Sequence, residues 1–428
     1  MKQTLRAAKF LGLLVVLFIC GFSWRDVREG RLPSANTLAS ILNGALAENM
    51  PSPEQEFLQN FNRIQKDYYK TVPVDKLTYA AMEGLMASLG DPHTMFMPPQ
   101  LANDFNVETN GSLIGIGCRL APDPLGAKAV SVFDDGPAYH GGIRSGDVIT
   151  GVNGASVVGA DLDDIVKKIR GEEGTTVKLK IIRGQKSSPL LVAVRRARVE
   201  TPTVSETKVL PGTHFGYFQV ATVSEPTARQ FDEELEKLEK QHINGLVIDM
   251  RDNPGGLLDT AKEMLSRFVP GDKSVVTVRY RDGHEDFVTT DNGVQHNFAY
   301  PVVILVNEDT ASAAEIFSGV LQDYKLATLV GTHTYGKALV QNVIRVVGDS
   351  DQSASAKVTI AHYYLPRGPS HDIQRKVDDE GQFISGGLKP DVEADFDPDS
   401  MVDVTYGDLK TDTQLQKAVE VLKQKTGG

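Results

Sequence analysis

Gly245-Leu246-Val247-Ile248-Asp249-Met250-Arg251-Asp252-Asn253-Pro254-Gly255-Gly256 runs from an unbroken apolar segment straight into a glycine turn. It reads as a short strand buried on both faces, stopped where proline and two glycines break it, with a helix predicted over 257–268. The same pattern returns downstream. Pro301-Val302-Val303-Ile304-Leu305-Val306 is a second apolar strand, followed by a polar turn, a helix from about Ser312 to Asp323, and the strand 326–330. Upstream, 216–220 reads as a strand, and 224–241 as a charged helix whose buried side carries Phe231, Leu235 and Leu238. Continuous apolar strands alternating with helices predict an α/β core with helices on both faces. In such cores ligands gather beyond the C-terminal ends of the strands. That singles out two loops, 251–256 and 307–312.

Outward toward the N-terminus the texture changes. Lys2, Arg6 and Lys9 precede an apolar run from Phe10 to Phe22, and the next charge is Arg25. The run is shorter than the ~18 to 20 residues of a bilayer-spanning helix, and its order is that of a secretory signal. Residues 1–24 are therefore expected to be an export signal or a retained membrane anchor, with Gly21-Phe22-Ser23 offering a small-x-small cleavage site. Leu38, Ile41, Leu42, Ala45 and Leu46 recur at helical spacing, so 25–50 would hold a short amphipathic helix able to pair with a second copy. Residues 51–106 read as a helical region that opens on Ser52-Pro53-Glu54-Gln55, a capping box with proline at the first helical position.

From 107 to 199 short strands alternate with glycines: Ile114-Gly115-Ile116-Gly117, Gly136-Pro137-Ala138, Gly141-Gly142-Ile143 and Val152-Asn153-Gly154, then one helix near 162–170. This series resembles a PDZ domain. The resemblance implies a groove that adds an extended peptide C-terminus to a sheet edge while loop amides hold its carboxylate. Ile114, Gly115, Ile116 and Gly117 match the carboxylate-binding loop, and Leu162, Ile165 and Val166 would line the groove from the helix.

Composition excludes several functions. The 428 residues are 41% hydrophobic and 24% charged, which fits neither a disordered chain nor a polytopic membrane protein. With 56 acidic against 45 basic residues the net charge is -11, which argues against nucleic acid as a partner. Two cysteines cannot make a disulfide scaffold. The nine histidines form no zinc signature, and no Gly-x-Ser-x-Gly elbow occurs. Gly331 to Lys337 has the frame of a P-loop, but Ala338 replaces the required hydroxyl and a β-branched strand follows instead of a helix.

The chemistry concentrates in Thr310-Ala311-Ser312-Ala313-Ala314-Glu315 and, 25 residues beyond the serine, at Lys337. Ser312 opens a helix after a buried strand, where small neighbours leave its hydroxyl open. A lysine in an apolar pocket loses its proton more readily and can then take one from serine. Gln341, four residues on, could orient the amine, and the glycine turn with the Ala313 N–H could face an oxyanion. These motifs, with Gly336-Lys337-Ala338-Leu339-Val340-Gln341 and Gly386-Gly387-Leu388-Lys389-Pro390-Asp391, resemble the carboxyl-terminal processing proteases, tail-specific serine-lysine endopeptidases, over essentially everything after residue 50.

The resemblance implies Ser312 as nucleophile, Lys337 as base and Gln341 as its partner, with Ala313 and one of Gly255 or Gly256 forming the oxyanion hole. It also implies a spiral α/β core over 200–428, related to crotonase and the Clp protease. No cofactor or metal is implied. Its partners would be protein or peptide substrates with exposed C-termini and an adaptor or regulatory protein. Three departures stand out: Asp252 where the family more often has Asn, Ala338 where it usually has Gly, and Leu365-Pro366 in place of a Thr-Pro pair. None removes a catalytic group. The competing reading, from another class, is a catalytically idle PDZ adaptor that keeps the core as a scaffold; loss of Ser312 or Lys337 would favour it.

Overall fold

A computed structural model describes residues 52–427 except 135, 185–187, 293–298, 347–353, 379 and 397–403. The expected signal or anchor (1–24) and amphipathic helix (25–50) lie outside the described residues. A division after Ala81 separates a helical segment from one continuous unit.

In the first unit, α1 (Pro53–Asp67) starts as its sequence suggests. The Gln55 N–H donates to Ser52 Oγ and the Ser52 N–H to Gln55 Oε1, with Pro53 in the first turn. Phe57, Leu58 and Ile64 on its apolar face are each more than half exposed. The second helix, α2 (Val74–Ala87), crosses the division.

The second unit opens with β1 (Met95–Met97) and α3 (Pro99–Asn110), and β2 (Ser112–Gly115) then enters the glycine-rich domain. There β3 (Cys118–Asp123), β4 (Gly126–Val132), β5 (Val148–Val152), β7 (Thr176–Ile182) and β8 (Leu190–Arg195) form one antiparallel sheet in that order, with β6 (Ala155–Ser156) on β5. Short α4 (Pro137–His140) and α5 (Leu162–Ile169) complete the domain. Ile165, Ile169, Ile149, Val177, Leu179 and Ile181 fill its own core. Asp147, fully buried, accepts both the Arg183 guanidinium and the Arg144 N–H. The exit strand β9 (Ala197–Glu200) pairs antiparallel with β2, so a two-stranded ribbon joins this domain to the core.

The core sheet follows the order β10 (Val204–Val209), β11 (Phe215–Val220), β12 (Gly245–Asp249), β15 (Val302–Val306), β16 (Ala327–Gly331), β21 (Val392–Glu393), parallel from β11 onward. Side chains alternate across each strand. Leu246, Ile248, Val302, Ile304 and Leu329 face α6 (Thr227–Glu239), α7 (Leu258–Leu265) and α8 (Ala313–Asp323). Val247, Val303, Leu305 and Val330 face α9 (Thr413–Thr426). Burial on both faces is why these strands read as continuous apolar runs, and each such side chain contributes about 1.5–3 kcal/mol. On the first face Phe231 packs edge-on against Phe218, Phe268 and Phe317, with ring centroids 5.0, 6.0 and 6.0 Å away.

A second sheet is antiparallel. The long β18 (Ser355–Tyr364) pairs with β1, with β13 (Ser274–Tyr280) and with β17 (Leu339–Arg345), and β13 continues to β14 (Glu285–Thr289). Met95–Met97, within the stretch read as helical, is thus a strand of the core. A small hairpin of β19 (Lys376–Val377) and β20 (Phe383–Ser385) precedes the Gly386-Gly387 turn.

Candidate active site

The loops after β12 and β15 interlock. Thr310, fully buried, donates from its hydroxyl to the Met250 carbonyl, the Ala311 N–H donates to the Asn253 carbonyl, and Asn307 and Asp252 bond reciprocally at 2.9 and 2.6 Å. Asn253, also buried, reaches the Val220 carbonyl with Nδ2 and accepts the Gly255 N–H at Oδ1. The turn requires glycine at 255. Its φ is +93°, and an added Cβ would lie 2.6 Å from the Ala311 carbonyl oxygen and 2.8 Å from both the Ala313 nitrogen and the Ser312 Cβ. Ser312 itself has φ +54° and ψ -119°, a strained conformation for a residue with a side chain, at the cap of α8.

The turn after β16 carries Lys337. Gly387 packs directly on it, since a Cβ there would stand 2.1 Å from the Thr334 carbonyl oxygen; Gly386 packs on Gln374 and Arg375, and the Arg375 N–H donates to the Gly336 carbonyl. That close approach is what the second glycine pair supplies. Tyr335 N–H donates to the Thr310 carbonyl and so joins this turn to the serine loop.

Ser312, Ala313, Gly255, Gly256, Lys337 and Gln341 all line one pocket of about 430 Å³. Its walls are largely apolar, with Ile316, Leu339, Val340 and Val343 among them. Burial holds the Lys337 ammonium below the ordinary lysine range and the nearby Lys357 pushes the same way, while Asp91 and Glu315 oppose them. Gln341 lines the pocket but is not hydrogen-bonded to Lys337. Its Nε2 donates to the His93 carbonyl at 2.6 Å and lies 3.5 Å from the Thr359 hydroxyl. Among the described residues no group of three His, Cys, Asp or Glu side chains is placed to hold a metal ion.

In the glycine-rich domain β3 is an edge strand and α5 packs beside it. The carbonyls of Ile116 and Gly117 accept from Ala138 and Phe133, so the amides of Gly117 and Cys118, opposite them across trans peptides, face away from the domain body. Leu162 and Val166 are half-buried beside this edge, whereas Ile165 is fully buried in the domain core. Ile114 and Gly115 lie in the ribbon, opposite Arg198 and Ala197.

Comparison with known proteins fits both regions. Residues 214–394 match peptidase family S41, and residues 129–183 match a PDZ domain. The chain is 30% identical over 393 residues to the carboxy-terminal processing protease CtpA of Bacillus subtilis, covering 90% of this chain and 79% of that one. The chain belongs to the carboxy-terminal processing proteases of family S41. A probable CtpA-like serine protease of Staphylococcus haemolyticus is 35% identical over 333 residues, 78% of this chain but 63% of its own length, so the chain spans less than two thirds of that relative. Among solved structures, the photosystem II D1 C-terminal processing protease is 28% identical, with a TM-score of 0.43 over 85% of this chain and 96% of that one.

The residues that depart from the S41 pattern have defined places. Asp252 closes its turn through Asn307, Ala338 is fully buried in the core, and Leu365 packs on Gly319. Two partners of the site were not singled out in the sequence. Glu315, fully buried, accepts the N–H groups of Ser312, Gly336 and Lys337 at 2.9, 2.7 and 2.8 Å and the Thr334 hydroxyl at 2.5 Å. Tyr363 donates to the Lys337 carbonyl at 2.8 Å, with the Ser312 carbonyl 3.4 Å away. The serine-x-x-glutamate spacing of a capping box was the available signal for Glu315; nothing local marked Tyr363.

Proposed function

We propose that this chain is an exported serine endopeptidase that cleaves protein substrates near unstructured C-termini. The observation that carries the reading is the shared pocket of Ser312 and Lys337, in which burial and Lys357 favour the neutral amine. Ser312 Oγ attacks the scissile carbonyl while the neutral Lys337 Nζ takes its proton. The lysine then passes that proton to the leaving amine, and water, deprotonated in turn by Lys337, hydrolyses the acyl-enzyme. The oxyanion is received by the N–H groups of Ala313 and Gly256. Gly255 N–H is occupied by Asn253, so that glycine serves the close approach of the turn to Ser312. Gln341 orients Lys337 by accepting an N–H of the amine at Oε1 when the lysine side chain comes within reach.

The PDZ domain takes a peptide C-terminus as a strand on β3, with the carboxylate at the Gly117 and Cys118 amides, and either delivers the substrate or gates the pocket. Among the described residues no helix is long and apolar enough to cross a membrane. The export signal or anchor at 1–24 and an oligomer formed through the N-terminal helices are parts of the same proposal.

The test is cleavage of an unfolded protein with a free C-terminus. Ser312→Ala and Lys337→Ala should each lower turnover by ~10³-fold or more, and the double change should cost little beyond either, because the groups act as a unit. Additive losses would point to another nucleophile. Amidating the substrate C-terminus should change the rate, and equal rates on free and amidated tails would remove the PDZ groove from the reaction.

A further inference from the structure

Glu315 is a buried acid that the mechanism above does not use. Four groups converge on its carboxylate, and every one is a donor. The Thr334 hydroxyl accepts the Leu388 N–H, which leaves its own proton for the carboxylate, and the other three are backbone N–H groups. Burial raises the affinity of this carboxyl for a proton, and the four donors oppose that. A carboxylate accepts from all four donors at once, whereas a protonated carboxyl would have only the Thr334 hydroxyl oxygen to donate to, so the arrangement fits the ionised form.

Ser312 and Lys337 sit on different turns, after β15 and after β16. We propose that Glu315 is the positioning residue that holds nucleophile and base in register, because its one carboxylate receives the backbone N–H of both. Tyr363 grips the opposite side, donating to the Lys337 carbonyl with the Ser312 carbonyl in reach. The peptide groups of the two residues are thus clamped between a single anion and a single hydroxyl. The left-handed backbone of Ser312 is held at both ends, its N–H by Glu315 and its carbonyl within reach of Tyr363. The inference rests on Ser312 and Lys337 being nucleophile and base.

Charge adds a second consequence. The groups facing the Lys337 amine are Lys357 from β18, Asp91 and His93 from the segment before β1, and Glu315 from α8. Lys357 favours the neutral amine, whereas Asp91 and Glu315 favour the ammonium. Removing the Glu315 charge therefore lowers the affinity of Lys337 for its proton, and the acid limb of the rate profile should move to lower pH.

The experiment uses the full chain with two readouts: cleavage of an unstructured peptide with a free C-terminus, and the rate at which a fluorophosphonate labels Ser312. Glu315→Gln puts an amide NH₂ among four donors. It should lower kcat and the labelling rate by ~10²-fold, the usual result of an ångström-scale misplacement, with KM little changed and the acid limb displaced downward. Glu315→Asp keeps the charge but shortens the reach, so it should lower kcat and leave the acid limb where it is. A folded Glu315→Gln chain with wild-type kcat and pH profile overturns the proposal. If Glu315→Gln does not fold, the decision falls to Glu315→Asp, where wild-type kcat and labelling overturn the proposal and reduced values with an unmoved limb support it. Ser312→Ala is run alongside. Its continued activity would refute the nucleophile itself, whereas an inactive Ser312→Ala beside a fully active Glu315→Gln refutes only the role of Glu315.

Discussion

Gln341 donates its side-chain N–H to the backbone carbonyl of His93 at 2.6 Å, across 248 residues of chain. The nitrogen of that amide is therefore engaged with the segment leading into β1, which leaves Oε1 as the atom able to accept an N–H of the Lys337 amine. Asp91 holds that segment by accepting the His93 N–H and the Thr94 hydroxyl, and Thr94 in turn accepts the Thr359 N–H from β18. Catalysis that uses Gln341 draws on Oε1 as the acceptor for the Lys337 amine, so the bond to His93 fixes the side chain without competing for that role. Gln341→Ala should lower kcat by ~10- to 10²-fold with KM little changed, and steady-state kinetics on a peptide substrate check it. An unchanged kcat would mean that the glutamine serves only to hold the His93 segment.

The pH dependence follows from the sign of the Lys337 shift. The base acts when neutral, so kcat/KM should rise as pH rises through its lowered pKa. Lys357 contributes to that lowering as a like charge. Lys357→Gln should let Lys337 hold its proton more tightly and move the rising limb to higher pH, the direction opposite to that expected of Glu315→Gln. A pH–rate profile of the two variants side by side decides the point; movement in the same direction would count against the charges assigned here.

At Gly255 the expectation is steric. The Cβ of Gly255→Ala would meet the Ala311 carbonyl, the Ala313 nitrogen and the Ser312 Cβ all below 3.0 Å, at a φ of +93°. The nucleophile and the first helical amide must move, and kcat should fall by ~10²-fold or more. Gly84→Ala, where a Cβ meets nothing within 4 Å, is the control and should keep full activity.

Arg251 sits fully buried among Asp249, Asp412 and Gln414, with Tyr217 donating to Asp249 and the Tyr406 ring 3.9 Å from its guanidinium carbon. It ties the turn after β12 to the cap of α9. Arg251→Met leaves two buried carboxylates without their cation, which typically costs about 3–5 kcal/mol. Thermal unfolding should show a clear drop in Tm, and the double change Arg251→Met with Asp412→Leu should recover part of it. No loss in the single variant would contradict this account of the network.

The apolar runs at 245–250 and 301–306 were enough to place the parallel strands, because strands covered on both faces need no polar alternation. The glycine series of the PDZ region and the Ser312, Lys337 and Gly255-Gly256 motifs were legible for a similar reason. Each is a short stretch in which the backbone conformation itself restricts the residue. The cap of α1 was readable because its partners are three residues apart.

Other features depend on chain segments that meet only in the folded molecule. The second face of the core sheet is covered by α9, whose helix joins it through Asp412 and Arg251, residues 161 positions apart. Met95–Met97 becomes a strand because β18 offers it an edge, and no local pattern distinguishes that from a turn. Glu315 reads as one half of a helix cap, yet the fold brings the Lys337 turn onto the same carboxylate. Gln341 reads as the partner of a lysine four residues away, yet the fold gives its amide to a carbonyl from the other end of the unit. Local sequence sets backbone conformation and burial pattern, since both are decided by near neighbours. Which donor meets which acceptor depends on how distant segments pack, and only the tertiary structure decides that.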